Sequence, residues 1–488
     1  MKKNLARILL LLLALATVLS AAVACAKDPA NPPDKDPSGD NDPSKPEDDE
    51  KPRVDHGVPV QNFDYDIKCL HYHVEGWIPW DEIVSEYGYD GDLISHDIAN
   101  RANWLEETYG IRLANEYMAH DKLPQAVENN DASGDDEWQL FDQFGFGLGQ
   151  VFGKYYFLNM AEQKYIDFSH PWWVKSSVEN LSIGSFVEFA ASDLLLLDKG
   201  ATACVFYNIP MSVDLGIDNL YQEVDNKSWT MERMAEYAQL ALKDDGNDQW
   251  DENDIYGVMC GDDPVHHLYI GSGRLFETKD EDGYFRYEYG SGDTIEVMMD
   301  IFDSMMYQDF FYNTWHNRQK DNVPSFKDGR SLFAFGKVKE CVELRNMTDD
   351  YGFLPVPMYD DTQDTYYSLV SNYGDSLLAI PRNTARPDVV GAALELMGWY
   401  SYYNIYSDFY DVVICGRGTR DAESVQMLNI IFSNRIYDIG LIKDDIKFTD
   451  KVLRYTDTGN TNLSSHFKSF ESQITQMVSK MNELVDNY

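Results

Sequence analysis

The sequence predicts an α/β protein whose folded part is divided into two lobes. Three observations carry that expectation. A strand–helix–strand–helix–strand order occupies residues 67–147, which calls for an open sheet with right-handed crossovers. That order breaks at residues 171–210, and further helical and strand patterning resumes beyond it. About 430 residues follow the polar N-terminal region, a length that suits two or three compact units better than one.

The chain opens with the features of a secretory leader. Lys2, Lys3 and Arg7 precede the apolar run ILLLLLALATVLSAAVA, the basic and hydrophobic regions that a leader over residues 1–24 requires. The run ends in Ala22-Val23-Ala24-Cys25, which resembles a bacterial lipobox with Ala22 where Leu is usual. Cys25 is therefore the expected site of lipidation and the mature N-terminus. A plain cleaved leader followed by an incidental cysteine is the alternative. No later run reaches the roughly 18 apolar residues that a membrane span needs.

Residues 25–60 are dense in Pro and Asp and nearly free of apolar side chains. Such a segment cannot bury enough surface to offset its ordering entropy, so it reads as a disordered, self-repelling tether. The folded body is expected over residues 61–488, with lobe 1 near 61–195 and 370–405 and lobe 2 near 200–365 and 406–488.

Within the body, IKCLHYHV reads as a strand. Ser95 is placed to cap a helix whose apolar stripe is Ile98, Ala99, Ala102, Leu105 and Tyr109, with Gly110 suited to the left-handed terminal position. GIRLANEYM then reads as a strand, DKLPQAVENN as a helix and EWQLFDQFGFG as a strand. Residues 171–210 look β-rich. Thr230 can cap a helix bearing Met231, Met234, Ala235, Ala238 and Leu242 on one face. Further helical periodicity covers residues 294–306, 387–400, 421–432 and 467–485.

Charge narrows the partners. The 83 acidic residues against 40 basic ones leave a net charge of −43, which argues against nucleic acid and anionic lipid. Neutral or cationic ligands remain compatible. Beyond Cys25, the widely spaced Cys69, Cys204, Cys260, Cys341 and Cys415 form no disulfide framework or metal motif; most read as buried thiols, with one disulfide between two of them as the alternative. Cys69, His71 and His73 alternate along one strand without an evident fourth metal ligand. His266 and His267 read as part of a surface loop with Asp262 and Asp263. No HExxH, GxSxG, Walker loop or GxGxxG stands in a suitable context.

Several stretches, taken in order, resemble one family. They are DGDLISHDIANRANWLEETYGI, DFSHPWW, VFYNIPMSVDLGIDNLYQEVDNKSWTMERMAEYAQLALKDDGNDQWDENDIYG, FKDGRSLFAFGKVKECVELRNM, DYGFLPVPMYDDTQDTYYS, LLAIPR and FYDVVICGRGTRDAESVQMLNIIFSNRIYDIG. Their order and spacing are similar to those of the lipid-anchored, family 1 extracellular solute-binding proteins of ABC importers. The resemblance implies a type II periplasmic-binding-protein-like fold, with two α/β lobes joined by hinge crossings and closing on a ligand, often a sugar or oligosaccharide. It also implies a membrane permease as partner, a monomer, and no catalysis. A secreted carbohydrate-active enzyme and a surface glycan adhesin are the competing readings.

Trp172 and Trp173 are candidates to stack on a pyranose, since a flat indole face suits its C–H face. Adjacent side chains diverge, so at most one is expected at the cleft, and both could be core. Arg345 offers a planar donor fork, with a surface ion pair as the alternative. Tyr366, Tyr367 and Tyr373 surround the expected hinge crossing, where the resemblance implies ligand contact, and Asn208 follows the first crossing. Trp229 reads as packing beside a helix cap.

In KDDGNDQWDENDIYG the family pattern has Asp where this chain has Lys243. Side-chain oxygens remain at Asp245, Asn247, Asp251, Glu252 and Asp254, with a carbonyl at Gln249, a donor set that suits structural Ca²⁺. Asp244 could take over the first position. A solvated acidic turn is the alternative.

Overall fold

The computed structural model describes residues 53–73, 82–85, 93–217, 219–248, 250–251, 253–261, 264–288, 291–313, 323–409, 422–444, 447, 451 and 462–487. The leader, Cys25, most of the tether, Gln249, Glu252, Asp262, Asp263 and Cys415 lie outside the described residues. In chain order the strands are β1 Tyr65–His73, β2 Ile111–Ala119, β3 Leu140–Gln143, β4 Ala203–Asn208, β5 Tyr256–Cys260, β6 Glu277–Lys279, β7 Phe285–Tyr287, β8 Phe311–Asn313, β9 Ser331–Lys337, β10 Tyr351–Leu354, β11 Ser368–Leu369, β12 Leu377–Ala379 and β13 Arg435–Ile436.

They build two main sheets. The first has the order β12-β3-β1-β2, with β1 parallel to both β2 and β3 and β12 antiparallel to β3. Its register sets Cys69 opposite Asn115 on one side and Leu140 on the other. The second has the order β10-β4-β9-β5-β8; β5 is parallel to β8 and β9, and β4 is antiparallel to β9 and β10. Every residue of β3, β4, β5 and β10 is buried. That explains the continuous apolar sequences of β5 and β10 and most of β4, since a strand covered on both faces has no reason to alternate. A first hydrophobic cluster holds Leu70, Tyr72 and Phe141 of one sheet and a second holds Phe206, Phe333 and Phe353 of the other, while Cys69, Leu140 and Leu378 pack into a third on the opposite face of the first sheet.

The two-lobe α/β architecture is thus as expected, and several elements stand where periodicity put them. The helix Pro387–Tyr400 has the expected bounds. Thr230 caps Met231–Ala241, accepting from Arg233 N at 3.3 Å, while Met231, Met234 and Ala238 are buried. Thr230→Ala should therefore cost about 1 kcal/mol in a denaturant midpoint experiment. Gly110, at φ +64°, ends the first helix; a Cβ there would lie 1.9 Å from Asn62 Oδ1.

Other elements differ for physical reasons. The first helix spans Leu93–Tyr109, so Ser95 is a buried first-turn residue and not its cap. The stretch expected to be β-rich holds the helix Lys175–Leu181, the single turn Leu197–Gly200 and only one strand, β4. A short apolar run such as LLLL is equally at home in a buried turn, and periodicity cannot separate the two. The last helical stretch breaks into Leu463–Lys468 and Glu471–Val485. His266 and His267 are buried on the helix Pro264–Gly271 and are not in a surface loop. Ordered structure begins before residue 61: Val58 is buried, and Trp399 Nε1 donates to Val54 O at 2.8 Å. His56, edge-on to Trp399, and Val58, in a hydrophobic cluster with Tyr109 and Ile111, supply that packing.

The chain passes between the sheets several times, and the crossings are tied together. Thr202, just before β4, bridges Val370, just after β11. β11 and β13 pair in parallel, with Ser368 opposite Arg435. The hairpin β6–β7 is a further link. Phe276 at its root lies in the second cluster, stacked on Tyr269 at 4.3 Å, whereas Phe285 at its far strand lies in the first. Lys279 Nζ donates to Glu179 O (2.7 Å) and Ser182 Oγ (2.9 Å), and Asn482 brackets the Phe285 backbone from the last helix. No described helix is long and apolar enough to cross a membrane.

Candidate ligand-binding site

In a parallel sheet, loops leaving the carboxyl ends of the strands are where ligands are held. β3 ends at Gln143 and is followed by Phe144 and the short helix Gly145–Gly149. The strand expected from the sequence runs on to Gly147. Glycine decides otherwise: a Cβ at Gly145 would lie 2.8 Å from Asp375 Oδ2, and one at Gly149 would lie 2.1 Å from Ile442 O. Only a chain without those side chains can lie this close to the crossings.

The second crossing supplies the opposite half of the site. Residues Ser371–Asp375 form a turn closed by Gly374 N donating to Ser371 O at 3.0 Å. Ser371 N donates to Ala201 O (3.1 Å) on the first crossing, and Phe146 N donates to Asn372 O (3.0 Å). Asn372 Nδ2 donates to Leu441 O at 2.6 Å. Tyr373, at the tip, is 42% exposed and stacks on Phe146 with centroids 4.9 Å apart and planes 24° apart. Phe144 backs the pair from a buried position, stacked on Phe146 at 6.4 Å. From the 3₁₀ helix Val338–Asn346, Lys339 reaches the same turn; a Cβ at Gly374 would lie 3.8 Å from its Nζ. The result is a half-exposed aromatic surface at the carboxyl edge of the first sheet, mounted on the crossings themselves.

Among the expected ligand residues, Tyr373 is thus at the hinge and exposed. The others take different places. Trp172 is wholly buried, 4.3 Å from the His170 ring, and Trp173 is 4% exposed with Nε1 donating to Glu395 Oε2 at 2.8 Å. Neither presents a stacking face to solvent. The reason is Glu395, a fully buried carboxyl on the helix Pro387–Tyr400 that needs partners; His170 and Trp173 meet that need and draw the two indoles into the core. Tyr366 is buried with its hydroxyl on Val224 O at 3.1 Å, and Tyr367 lies against Gly273. Asn208 caps the turn Ile209–Asp214, accepting from Met211 N (2.9 Å), while its Nδ2 donates to Asp349 (2.9 Å). Arg345 is half-buried on the 3₁₀ helix Val338–Asn346 in the second lobe. Trp229 packs as expected, buried with Nε1 on Pro355 O.

The crossings also enclose charge. Arg435 Nη1 donates to Asp198 Oδ2 (2.5 Å) and Nη2 to Asp193 Oδ1 (3.1 Å). Lys199 Nζ donates to Asp193 Oδ1 at 2.6 Å and stands 4.7 Å from the Tyr406 ring centroid. Tyr437 OH donates to Asp198 Oδ2 at 3.2 Å. All four charged groups are buried. Burial would raise the Asp193 carboxyl, but Lys199 and Arg435 hold it below the ordinary range. Sequence reading passed over this network. The signal was available in SDLLLLDKG, where charges bracket an apolar run and cannot be buried unless paired.

A second group of acids lies nearby. Burial, with Asp142 adding to it, pushes Glu82 up to about 8, although its Oε1 accepts from Leu196 N and Leu197 N. Burial likewise holds Asp375 well above the usual carboxyl range. His71 is one of the strand residues singled out for metal spacing. It instead bonds Asp142 at 2.8 Å and stacks on Tyr117.

In the acidic loop, one oxygen each of Asp244, Asp245 and Asp254 lies within 4.8 Å of the others. Among the described residues this is the one such group of three or more metal-ligand side chains. It takes Asp244 in place of Asp251, because Asp251 turns back to accept from Asn253 N at 2.8 Å. Asp254 accepts from Asp245 N and Asp251 N, both at 2.7 Å, so backbone donors already offset part of the charge.

No protein-family model and no curated protein matches the chain by sequence. Its fold is similar to solved structures across most of its length. The sugar-binding protein MalE from Xanthomonas citri superposes with a TM-score of 0.58 at 12% identity, covering 87% of this chain and 100% of that one. The cyclic α-maltosyl-1,6-maltose binding protein from Arthrobacter globiformis gives 0.56 at 11% identity, covering 87% and 100%. The galacto-N-biose-/lacto-N-biose I-binding protein of the ABC transporter from Bifidobacterium longum, in complex with lacto-N-biose, gives 0.52 at 13%, covering 88% and 98%. The chain therefore has the two-lobe, periplasmic-binding-protein-like fold of these proteins.

Proposed function

We propose that this protein is the extracellular solute-binding component of an ABC importer, which captures a sugar or oligosaccharide between its lobes and delivers it to a membrane permease. The observation that carries the reading is the half-exposed Phe146–Tyr373 pair at the hinge. A flat aromatic face takes the apolar face of a pyranose, and its position on the crossings lets closure complete the contact. The solved neighbours named above add weight, since they are sugar-binding proteins. The reading includes binding without chemistry, a monomer, and residence at the cell surface through a lipid on Cys25. Mature protein from native membranes should then carry a lipid mass at that residue, and Cys25→Ser should lose it.

Thermal unfolding against a panel of maltotetraose, lacto-N-biose, monosaccharides and short peptides tests the reading. A ligand that binds only the folded state stabilises it by about 2.7 kcal/mol at 100 times its Kd. A rise with an oligosaccharide and none with peptides is expected, with no reducing sugar released. Tyr373→Ala should weaken the active sugar about tenfold, the loss of roughly 1.4 kcal/mol of stacking. A rise with peptides alone would overturn the sugar assignment.

The acidic loop is proposed to hold structural calcium on Asp244, Asp245 and Asp254. A cation there would relieve the repulsion of gathered carboxylates, so chelator should lower the melting temperature and Asp245→Ala should remove that sensitivity. Identical melting curves in chelator and in millimolar calcium would make the loop a solvated turn.

A further inference from the structure

The turn that carries Tyr373 is held by a residue that touches no solvent. Asp375 is fully buried. Its Oδ1 accepts from Gly145 N at 2.7 Å, and its carbonyl oxygen accepts from Tyr72 OH at 3.0 Å. One side chain therefore fixes where the chain leaves β3, one residue before Phe146, and the same residue ends the turn two positions after Tyr373. Phe146 N closes the loop by donating to Asn372 O at 3.0 Å. The two halves of the aromatic pair come from segments more than two hundred residues apart in sequence, and these are the hydrogen bonds that join them.

We propose that Asp375 is the positioning residue of the Phe146–Tyr373 stacking surface, so that the second hinge crossing and the ligand-facing aromatics move as one piece. This rests on the reading of that surface as the ligand wall. Two features besides the hydrogen bonds support it. The carboxyl stands where no Cβ could be added to Gly145, which couples the glycine to the acid. Burial, with Asp198 and Asp142 adding to it, holds its carboxyl well above the ordinary range and so favours the neutral form, while the Gly145 N–H acts against that shift. Asn is then the conservative replacement, being neutral and of the same shape, and it retains the accepting oxygen. Ala removes the acceptor and leaves Gly145 N buried without it.

The test labels the full chain with 3-fluorotyrosine, assigns the Tyr373 fluorine resonance by its absence in Tyr373→Phe, and follows it in ligand-free protein. Asp375→Ala should move that resonance toward its unfolded position while the other assigned tyrosines stay in place. Asp375→Asn should leave it unmoved. Gly145→Ala, which crowds the carboxyl from the other side, should move it as well, and serves where Asp375→Ala fails to fold. Maltotetraose and lacto-N-biose are then titrated into the same proteins. Whichever sugar binds the wild type should bind Asp375→Asn equally and Asp375→Ala at least tenfold more weakly. A Tyr373 resonance unmoved in Asp375→Ala and Gly145→Ala overturns the positioning role, whatever the sugars do. A resonance that moves as expected, with no sugar bound by the wild type, leaves the positioning intact and contradicts the ligand-wall reading instead.

Discussion

Arg435→Ala is expected to destabilise the protein by about 3–5 kcal/mol, the cost of leaving buried charge without its partner. Asp198 and Asp193 both receive hydrogen bonds from the guanidinium, and neither has solvent to replace it. Burial opposes the Arg435 charge, yet the two carboxylates outweigh it and push its pKa up. Lys199 would still serve Asp193, so the orphan in the variant is chiefly Asp198, left with Tyr437 OH. Asp198→Asn in the same background should therefore recover part of the loss. Because Arg435 lies in β13, paired with β11, the damage falls on the hinge as well as on global stability. Urea unfolding midpoints of the single and double variants measure both effects. An Arg435→Ala variant within 1 kcal/mol of wild type would show the network to be dispensable.

The second large effect is on pH. Burial holds Glu82 (about 8), Asp438 (about 7), Asp375 and Glu277 above the values they would have in an unfolded chain. The folded protein thus binds more protons than the unfolded one between about pH 4.5 and those values. Stability from these groups is complete below the unfolded carboxyl range and is lost as pH rises through the folded pKa. Each such proton is worth about 1.4 kcal/mol per pH unit. Acids with lowered pKa act in the opposite sense, but only as pH falls below about 4. Asp193 is one, its burial offset by Lys199 and Arg435. The unfolding midpoint should accordingly be highest near pH 5 and fall steadily toward pH 8. Glu82→Gln should flatten that slope by about one proton, and Glu277→Gln, at the root of the β6–β7 hairpin, should do the same. A midpoint that rises from pH 5 to 8 would contradict the assignment.

What could be read from the sequence follows from what periodicity encodes. Amphipathic helices such as Met231–Ala241 and Pro387–Tyr400 announce themselves because one face packs and the other does not. Fully buried segments erase that contrast, and there the reading failed: LLLL became a turn, and Gly145–Gly147, expected as the end of a strand, became part of a short helix. The site divides the same way. Tyr373 was legible as one of three tyrosines around the hinge crossing that the resemblance implies. Phe146 was not, because its role depends on a contact with a turn far along the chain. For Trp172 and Trp173 the sequence left open whether one faces the cleft or both are core, and the buried carboxyl of Glu395, more than two hundred residues away, explains why they are core. Asp375 and Arg435 gave no local signal at all, since a charged residue reads as surface until its partners are known.

The central claim is a hinge that closes on a solute, and small-angle scattering tests it most directly. The radius of gyration of the purified protein would be measured alone and saturated with the sugar that raises its unfolding transition, beside Tyr373→Ala at the same sugar concentration. The account predicts a smaller radius for the wild type with sugar and no change for the variant at a concentration below its weakened Kd. A sugar that binds tightly while the radius of gyration stays unchanged would contradict it.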